Sequence, residues 1–267
     1  MKIVLKLLIL FGIAGMFFFG STKEDHSKEL VPLFLQFDNV IGNEDLLLND
    51  KEYSNASGEK FSISQLQYFI SNIKLRRTDG KEYVIKQDDS YFLVQENDTA
   101  TQTIKLKVLA GDYKQISFVV GVDSLRNTMH ISKRTGVLDP ASSMDNGMYW
   151  TWNSGYIFFK MEGNSSSAPA DPTGNRKFRY HIGGFGGYSA KTFNNIKKIS
   201  IDLPQKEIVK PHKSKNATIR IKADILNAFE GNEKISIAAH PSVMFSEYSV
   251  KVANNYSKMF SHDRTQN

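Results

Sequence analysis

The chain has 267 residues, with 34 lysine and arginine residues against 28 aspartate and glutamate residues and a formal net charge of +6. It contains no cysteine, which excludes disulfide bonds, thiolate metal sites and a cysteine nucleophile. The positive charge is mild and forms no basic stripe along the sequence, so nucleic acid is not an expected partner.

The N-terminus has the layout of a secretory signal. Lys2 and Lys6 precede an apolar run over residues 7–19, and a polar segment follows abruptly. This run is short for a membrane span, which needs about 20 residues. We therefore expect residues 1–20 to be a signal peptide and residues 21–30 to be a polar tether. The chain would then be exported, and would contact a membrane only through an uncleaved signal.

From residue 31 onward, short runs of alternating apolar and polar residues recur about every 10 to 15 residues, without long helices between them. This pattern is typical of an antiparallel sandwich or barrel. The sequence predicts one all-β domain over residues 31–262, an antiparallel β-sandwich with long loops, and a tail at residues 263–267. A short helical segment is expected near the C-terminus, over residues 243–260.

The individual elements follow in chain order. Strands are predicted at residues 33–37, 68–77, 83–85, 91–94, 104–108, 116–121, 148–161, 177–182, 196–203, 217–225 and 235–237. Residues 61–66 predict a short helical turn with Ser62 as its cap. Residues 123–147 are weakly patterned and predict a long loop with one helical turn, and loops of this length in compact domains are commonly functional or disordered.

Both tryptophans of the chain lie within residues 148–162. Met148, Trp150 and Trp152 are spaced by two, so a strand would place all three on one face. A thioether and two indoles side by side form an electron-rich, oxidisable surface. It is either a part of the hydrophobic core or the wall of a site that handles copper or redox chemistry.

Two of the histidines stand out by their context. His181 lies inside a predicted strand, and His240 follows another predicted strand directly before Pro241. Such histidines are either hydrogen-bonded core residues or metal ligands. Imidazole and thioether donors without thiolate suit copper better than calcium or a structural zinc site.

The common enzyme signatures are absent from the sequence. It has no Gly-x-Ser-x-Gly, no phosphate-binding Gly-Lys-Ser/Thr loop and no His-Glu-x-x-His, and its carboxylates do not single out an acid/base pair. We therefore expect a protein that is not an enzyme.

Several short motifs occur in a specific order along residues 31–262. They are Phe34-x-x-Phe37, Tyr68-Phe69-Ile70-Ser71-Asn72, Met148-x-Trp150-x-Trp152-x-x-Gly155-Tyr156, Lys160-Met161-Glu162-Gly163, Tyr180-His181-Ile182-Gly183 and His240-Pro241-x-x-Met244. Each motif is weakly specific, but their order resembles that of the MbnP-like family, which is named for a copper protein encoded with methanobactin operons.

The resemblance implies an all-β bacterial protein, exported to the periplasm or the cell surface, that binds copper. In the best-known members of the family, a tryptophan is oxidised to kynurenine by a partner dihaem enzyme of the cytochrome c peroxidase type. The modified residue then helps to bind copper beside histidines. A role in methanobactin handling does not carry over, because many bacteria with this domain make no methanobactin.

Carried onto this sequence, the resemblance implies that Trp150 or Trp152 is modified and that His181 and His240 are the imidazole ligands. Met148 and Met244 are expected nearby as soft neighbours. The alternative is an exported all-β binding or adhesion module that holds a sugar or a partner on its aromatic surface, without a metal.

Overall fold

The computed structural model of the protein describes residues 29–152 and 155–267. The predicted signal peptide and all but the end of the predicted tether lie outside the described residues. No helix in the described part of the chain is long and apolar enough to cross a membrane.

The described residues form short helices and many strands. The strands are β1 (Leu30–Ile41), β2 (Glu44–Asp45), β3 (Tyr53–Ser54), β4 (Lys60–Arg77), β5 (Glu82–Val84), β6 (Tyr91–Gln95), β7 (Thr103–Leu109), β8 (Tyr113–Val120), β9 (Tyr149–Trp150), β10 (Gly155–Ser165), β11 (Lys177–Gly183), β12 (Lys197–Asp202), β13 (Ala217–Asp224), β14 (Ser242–Val243) and β15 (Phe260–Gln266). The α-helices are α1 (Ser124–Thr128), α2 (Pro140–Asp145), α3 (Asn227–Glu230) and α4 (Glu247–Tyr256).

These strands form two packed sheets. The first sheet has the order β15-β13-β1-β2, and β7 also pairs with β1. The second sheet has the order β12-β8-β4-β10-β11-β14, while β3, β5 and β6 pair with β4, and β9 pairs with β10. The predicted all-β sandwich with a short C-terminal helix is confirmed. Two pairings are parallel rather than antiparallel, β1 with β13 and β11 with β14.

The main core lies between the two sheets. Alternate residues of β1 are buried, and so are alternate residues of β13, because each strand presents one side chain in two to the opposite sheet. The second sheet contributes Tyr68, Ile70 and Phe159 to this inner core.

The second sheet is buried on its other face as well. Phe69 and Phe158, the neighbours of Tyr68 and Phe159, point to this face and join a separate outer cluster. That cluster consists of Phe69, Leu93, Val122, Leu138, Met148, Trp150, Tyr156, Ile157 and Phe158. Residues 123–150, which we call the roof segment, cover it with their buried side chains.

The roof segment is more ordered than the loop that the sequence predicted. It contains α1 and α2, each capped by an aspartate: Asp123 accepts from the backbone N–H of Arg126, and Asp139 from that of Ala141. Pro140 begins α2, where its missing N–H costs no hydrogen bond. The sequence of this segment shows no regular alternation because its buried residues lie on short helices and turns that cover the sheet, not on a strand.

Three local predictions were wrong. Residues 61–66 begin β4 instead of forming a helical turn, because Phe61 and Ile63 alternate with serines and are buried on one face. Ile235 and Ile237 are buried, but residues 235–237 form no strand. Residues 263–266, expected in a tail, extend β15, which pairs with β13.

A buried carboxylate holds the segment around residue 237 in place of a strand partner. Glu59 accepts hydrogen bonds from the backbone N–H groups of Ile237 and Ala238 and from the hydroxyl of Ser236. The Asn55 amide donates to the same carboxylate at 2.8 Å. Burial alone would raise the pKa of Glu59, but these hydrogen bonds outweigh it and leave the pKa below its ordinary value.

We expect Glu59→Ala to lower the free energy of unfolding by about 2–4 kcal/mol, because several buried donors lose a charged acceptor. Since the folded-state pKa is lowered, this stabilisation is present above the ordinary glutamate pKa and is lost as the pH falls through the lowered value. Urea denaturation at neutral and acidic pH measures both effects.

Glu230→Ala is the matched control, because Glu230 accepts a single exposed hydrogen bond from the Ala56 N–H. Glu230→Ala should lower the free energy of unfolding clearly less than Glu59→Ala does. Equal losses in the two variants, at every pH, would contradict the role given to Glu59.

Candidate functional site

The two tryptophans lie on a tight hairpin rather than on one continuous strand. β9 ends at Trp150 and β10 begins at Gly155, with Trp150 opposite Gly155 in the register. The expected strand over residues 148–161 is therefore wrong as a single element. Trp150 is 6% exposed and packs in the outer cluster with Met148, whereas Trp152 is 64% exposed.

Trp152 does not share a strand face with Trp150, but the two indole rings are in contact. Their ring centroids are 5.3 Å apart at an interplanar angle of 43°. The pair therefore joins a buried indole to a solvent-exposed one. Phe245 contacts the Trp150 ring as well, with centroids 6.4 Å apart.

Trp150 lies directly against β11 at Gly183. A Cβ atom on Gly183 would lie 2.6 Å from Cζ3 of Trp150 and 2.4 Å from the carbonyl oxygen of Tyr156. No other residue type fits without moving the indole or the strand, so a glycine is required here for close approach.

His181 shares this face of β11. It precedes Gly183 by two residues, and the intervening Ile182 points into the inner core, so His181 and Gly183 point to the outer face. The structure thus places the Trp150 indole against β11 at Gly183, two residues from His181 and on the same face. The His181 side chain is 13% exposed.

Glu162 and Lys160 of β10 lie beside His181. Glu162 Oε1 is 2.7 Å from His181 Nε2 and 3.5 Å from Lys160 Nζ. The hydrogen bond with His181 lowers the pKa of Glu162 most; burial opposes it, the Lys160 charge adds to it, and the result is a pKa of about 2. Glu162 is therefore a carboxylate at neutral pH.

Lys160 connects this cluster to the end of the roof segment. Its side chain is 10% exposed, and its ammonium donates to the Gly147 carbonyl oxygen at 3.4 Å. Gly147 has a φ of +66°, and a Cβ there would lie 2.7 Å from Lys160 Nζ. A glycine at this position can adopt the left-handed backbone conformation and leaves room for the Lys160 ammonium.

Met244 lies at the end of β14. The parallel register pairs Arg179 with Ser242 and Tyr180 with Val243, so Met244 follows directly after the pairing with β11. Val243 is buried in the inner core, while Met244 is 36% exposed.

His240 makes a different contact. Its ring stacks on Tyr248 of α4, with centroids 3.6 Å apart and an interplanar angle of 24°. Tyr248 packs against the inner core, whereas Trp150 belongs to the outer cluster. The structure therefore places Trp150 and His181 on one face of β11, and the roles of Met244 as a soft neighbour and of His240 as a fellow ligand stay predictions.

The donor chemistry limits which metal this face could hold. Within residues 29–152 and 155–267, no three histidine, aspartate or glutamate side chains form a group that could bind a metal ion. A site at His181 would instead combine imidazole with the Met244 thioether and a group derived from tryptophan. Copper accepts such a soft-to-borderline set, while calcium and magnesium prefer several oxygen ligands.

A pocket of about 180 Å³ opens on the other side of Trp150. Its wall includes Phe185, Tyr188 and Phe245, and Tyr188 is 80% exposed. The volume is smaller than the roughly 300–1,000 Å³ of most small-molecule pockets. The pocket and Trp152 together form an exposed aromatic surface.

Sequence reasoning missed Lys160, Glu162 and Gly183 as parts of the site. Lys160 and Glu162 flank the buried Met161 in β10, so the strand period of two indicates that they share a face. The pattern gives no register with β11, which decides that His181 is their neighbour. The spacing of His181 and Gly183 was visible, but the contact of Gly183 with Trp150 was not.

The sequence model of the MbnP family matches residues 31–245, a range that includes Trp150, Glu162 and His181. The chain belongs to the MbnP family. Among solved structures, MbnP from Methylosinus trichosporium is similar with a TM-score of 0.54 at 17% sequence identity, and the match covers 82% of each chain. At this identity the likeness shows the fold alone. No curated protein matches the chain.

The unequal burial of the two tryptophans in this MbnP-family protein predicts unequal effects on stability. We expect Trp150→Ala to lower the free energy of unfolding by about 3–5 kcal/mol, because it leaves a cavity against β11. Trp152→Ala should cost less than about 1 kcal/mol, since it removes one exposed ring contact. Urea denaturation followed by circular dichroism measures both losses, and equal values would contradict the hairpin geometry.

Proposed function

We propose that this member of the MbnP family is an exported, non-catalytic copper-binding protein that scavenges, buffers or delivers the metal. The observation that carries the proposal is the contact of the Trp150 indole with Gly183, two residues from His181 on one face of β11. A nitrogen donor and an oxidisable aromatic ring thus lie on the same face of β11, and Met244 follows the neighbouring strand β14.

An unmodified indole is a poor metal ligand, so the proposal includes its conversion to kynurenine. This reaction cleaves the C2–C3 bond of the indole, adds two oxygen atoms and releases C2 as formate after hydrolysis. Peroxide used by a partner dihaem cytochrome c peroxidase-like enzyme would supply the oxygen atoms. The product offers an aniline nitrogen and a carbonyl oxygen, both of which suit copper beside imidazole.

Trp150 is the better candidate for the residue that binds copper, because it packs against Gly183, two residues from His181 on β11. Trp152 is the better placed to meet a partner enzyme, since it is 64% exposed and touches the Trp150 ring. We therefore expect the kynurenine at residue 150, and peptide mass spectrometry distinguishes it from a kynurenine at residue 152.

Export is part of the same proposal. Residues 1–20 have the composition of a signal peptide, and copper supply and partner dihaem enzymes of this type belong outside the cytoplasm. The absence of cysteine fits a site that works with imidazole and thioether donors.

One observation favours a second candidate function. Trp152 and Tyr188 are the most exposed aromatic side chains among the large hydrophobic residues of the described chain, and they flank the pocket beside Trp150. Such a surface suits stacking on a sugar ring or on a partner protein. An exported binding or adhesion module would use this surface without a metal.

We expect protein recovered from its native exporting host to carry one tryptophan with the mass change of kynurenine and to bind Cu(I) in competition with a chromophoric chelator. His181→Ala should weaken that binding by more than about 100-fold, because it removes a ligand rather than a supporting group. Protein made without the partner enzyme should keep its tryptophans and bind copper weakly.

His212→Ala is the control, because His212 lies exposed in the loop before β13 and its ring nitrogen bonds to Ser214. It should leave the affinity unchanged. Loss of affinity in His240→Ala would place His240 in the same site. Unmodified tryptophans in the native protein, together with equal affinities in His181→Ala and His212→Ala, would refute the copper proposal and favour the binding module.

A further inference from the structure

The hydrogen bond between Glu162 and His181 decides which nitrogen of the imidazole is available. We propose that Glu162 is a positioning residue that holds the Nε2–H of His181 and so leaves Nδ1 as the copper-binding nitrogen. This inference rests on the proposed function, and it adds a residue and an atom to that site.

The donor and acceptor roles follow from chemistry. An ionised carboxylate can only accept hydrogen bonds, so a neutral imidazole 2.7 Å away must present its N–H to it. In neutral imidazole only one nitrogen carries a proton. The proton on Nε2 therefore makes Nδ1 the lone-pair nitrogen, and among the described residues no side chain or backbone group bonds to His181 Nδ1.

Lys160 contacts the same carboxylate. Its ammonium lies 3.5 Å from the same Glu162 oxygen and also donates to the Gly147 carbonyl oxygen. With both side chains largely buried, Glu162 has little freedom to turn away from His181. Metal-bound histidines commonly donate their second N–H to such a carboxylate, which fixes the orientation of the ring.

The two ring nitrogens differ in their distance from the strand. Nδ1 is bonded to the ring carbon nearest the backbone, so a metal bound to it lies closer to the strand than one bound to Nε2. Trp150 packs against the same strand at Gly183, two residues from His181. Binding through Nε2 would point the metal at Glu162 and Lys160 instead, where the ammonium repels it.

Nitrogen-15 NMR of the metal-free protein tests the tautomer directly. In full-length mature protein with labelled histidine, above the pH at which the ring is protonated, two-bond proton–nitrogen correlations should show His181 mainly as the Nε2–H tautomer. Glu162→Leu should convert it to a mixture of tautomers, while Glu162→Gln, which keeps an acceptor oxygen, should preserve Nε2–H.

The same variants are then titrated with Cu(I). Glu162→Leu should weaken binding by about 10–100-fold, the usual cost of losing a carboxylate behind a ligand histidine, and Glu162→Gln should lie between it and the wild type. Glu207→Leu is the matched control, because Glu207 lies 3.9 Å from Nε2 of His262 and should not affect His181. Amide spectra show that each variant is folded.

An Nδ1–H tautomer in the wild type, or a tautomer that does not change in Glu162→Leu, would overturn the inference even if copper binding holds. If no form of the protein binds copper but the tautomer follows residue 162, the proposed function fails while Glu162 remains the residue that orients His181. The two failures are therefore distinguishable.

Discussion

Burial of the second sheet on both faces is the constraint on which the rest of the structure depends. Its central strands, β4 and β10, send alternate side chains into the inner core and into the outer cluster. The first sheet covers one face, so the roof segment must cover the other. The roof segment ends at Trp150, whose indole packs on β11 at Gly183, two residues from His181. The candidate site is located where this apolar cover ends and charged side chains begin.

Local sequence patterns determine the strands but not how they meet. The alternation in β1, β11 and β13 is visible in the sequence, because each strand buries one face only. Residues 61–66 were misread because a serine that resembles a helix cap lies within a period-two pattern. The parallel pairing of β1 with β13 joins residues that are distant in the sequence, and no local pattern carries that information.

The candidate site shows the same division. His181, Trp150 and Met244 could be named from the sequence through residue type and family resemblance. The hairpin that separates a buried Trp150 from an exposed Trp152 could not be predicted from the sequence, because the alternation of residues 148–152 also fits a straight strand. Glu162 and Lys160 were hidden for another reason: their importance comes from the β10–β11 register. His240 stacks on Tyr248, a contact between a turn and α4 that spacing alone does not predict.

His181 and residue 150 are proposed to share a single copper site on the outer face of β11. Diffraction at the copper absorption edge, from crystals of copper-loaded protein recovered from its exporting host, tests it most directly. We expect one anomalous peak about 2 Å from His181 Nδ1 and within bonding distance of a modified residue 150. A copper peak at another histidine, or bound to His181 with residue 150 as an unmodified tryptophan outside bonding distance, would contradict it.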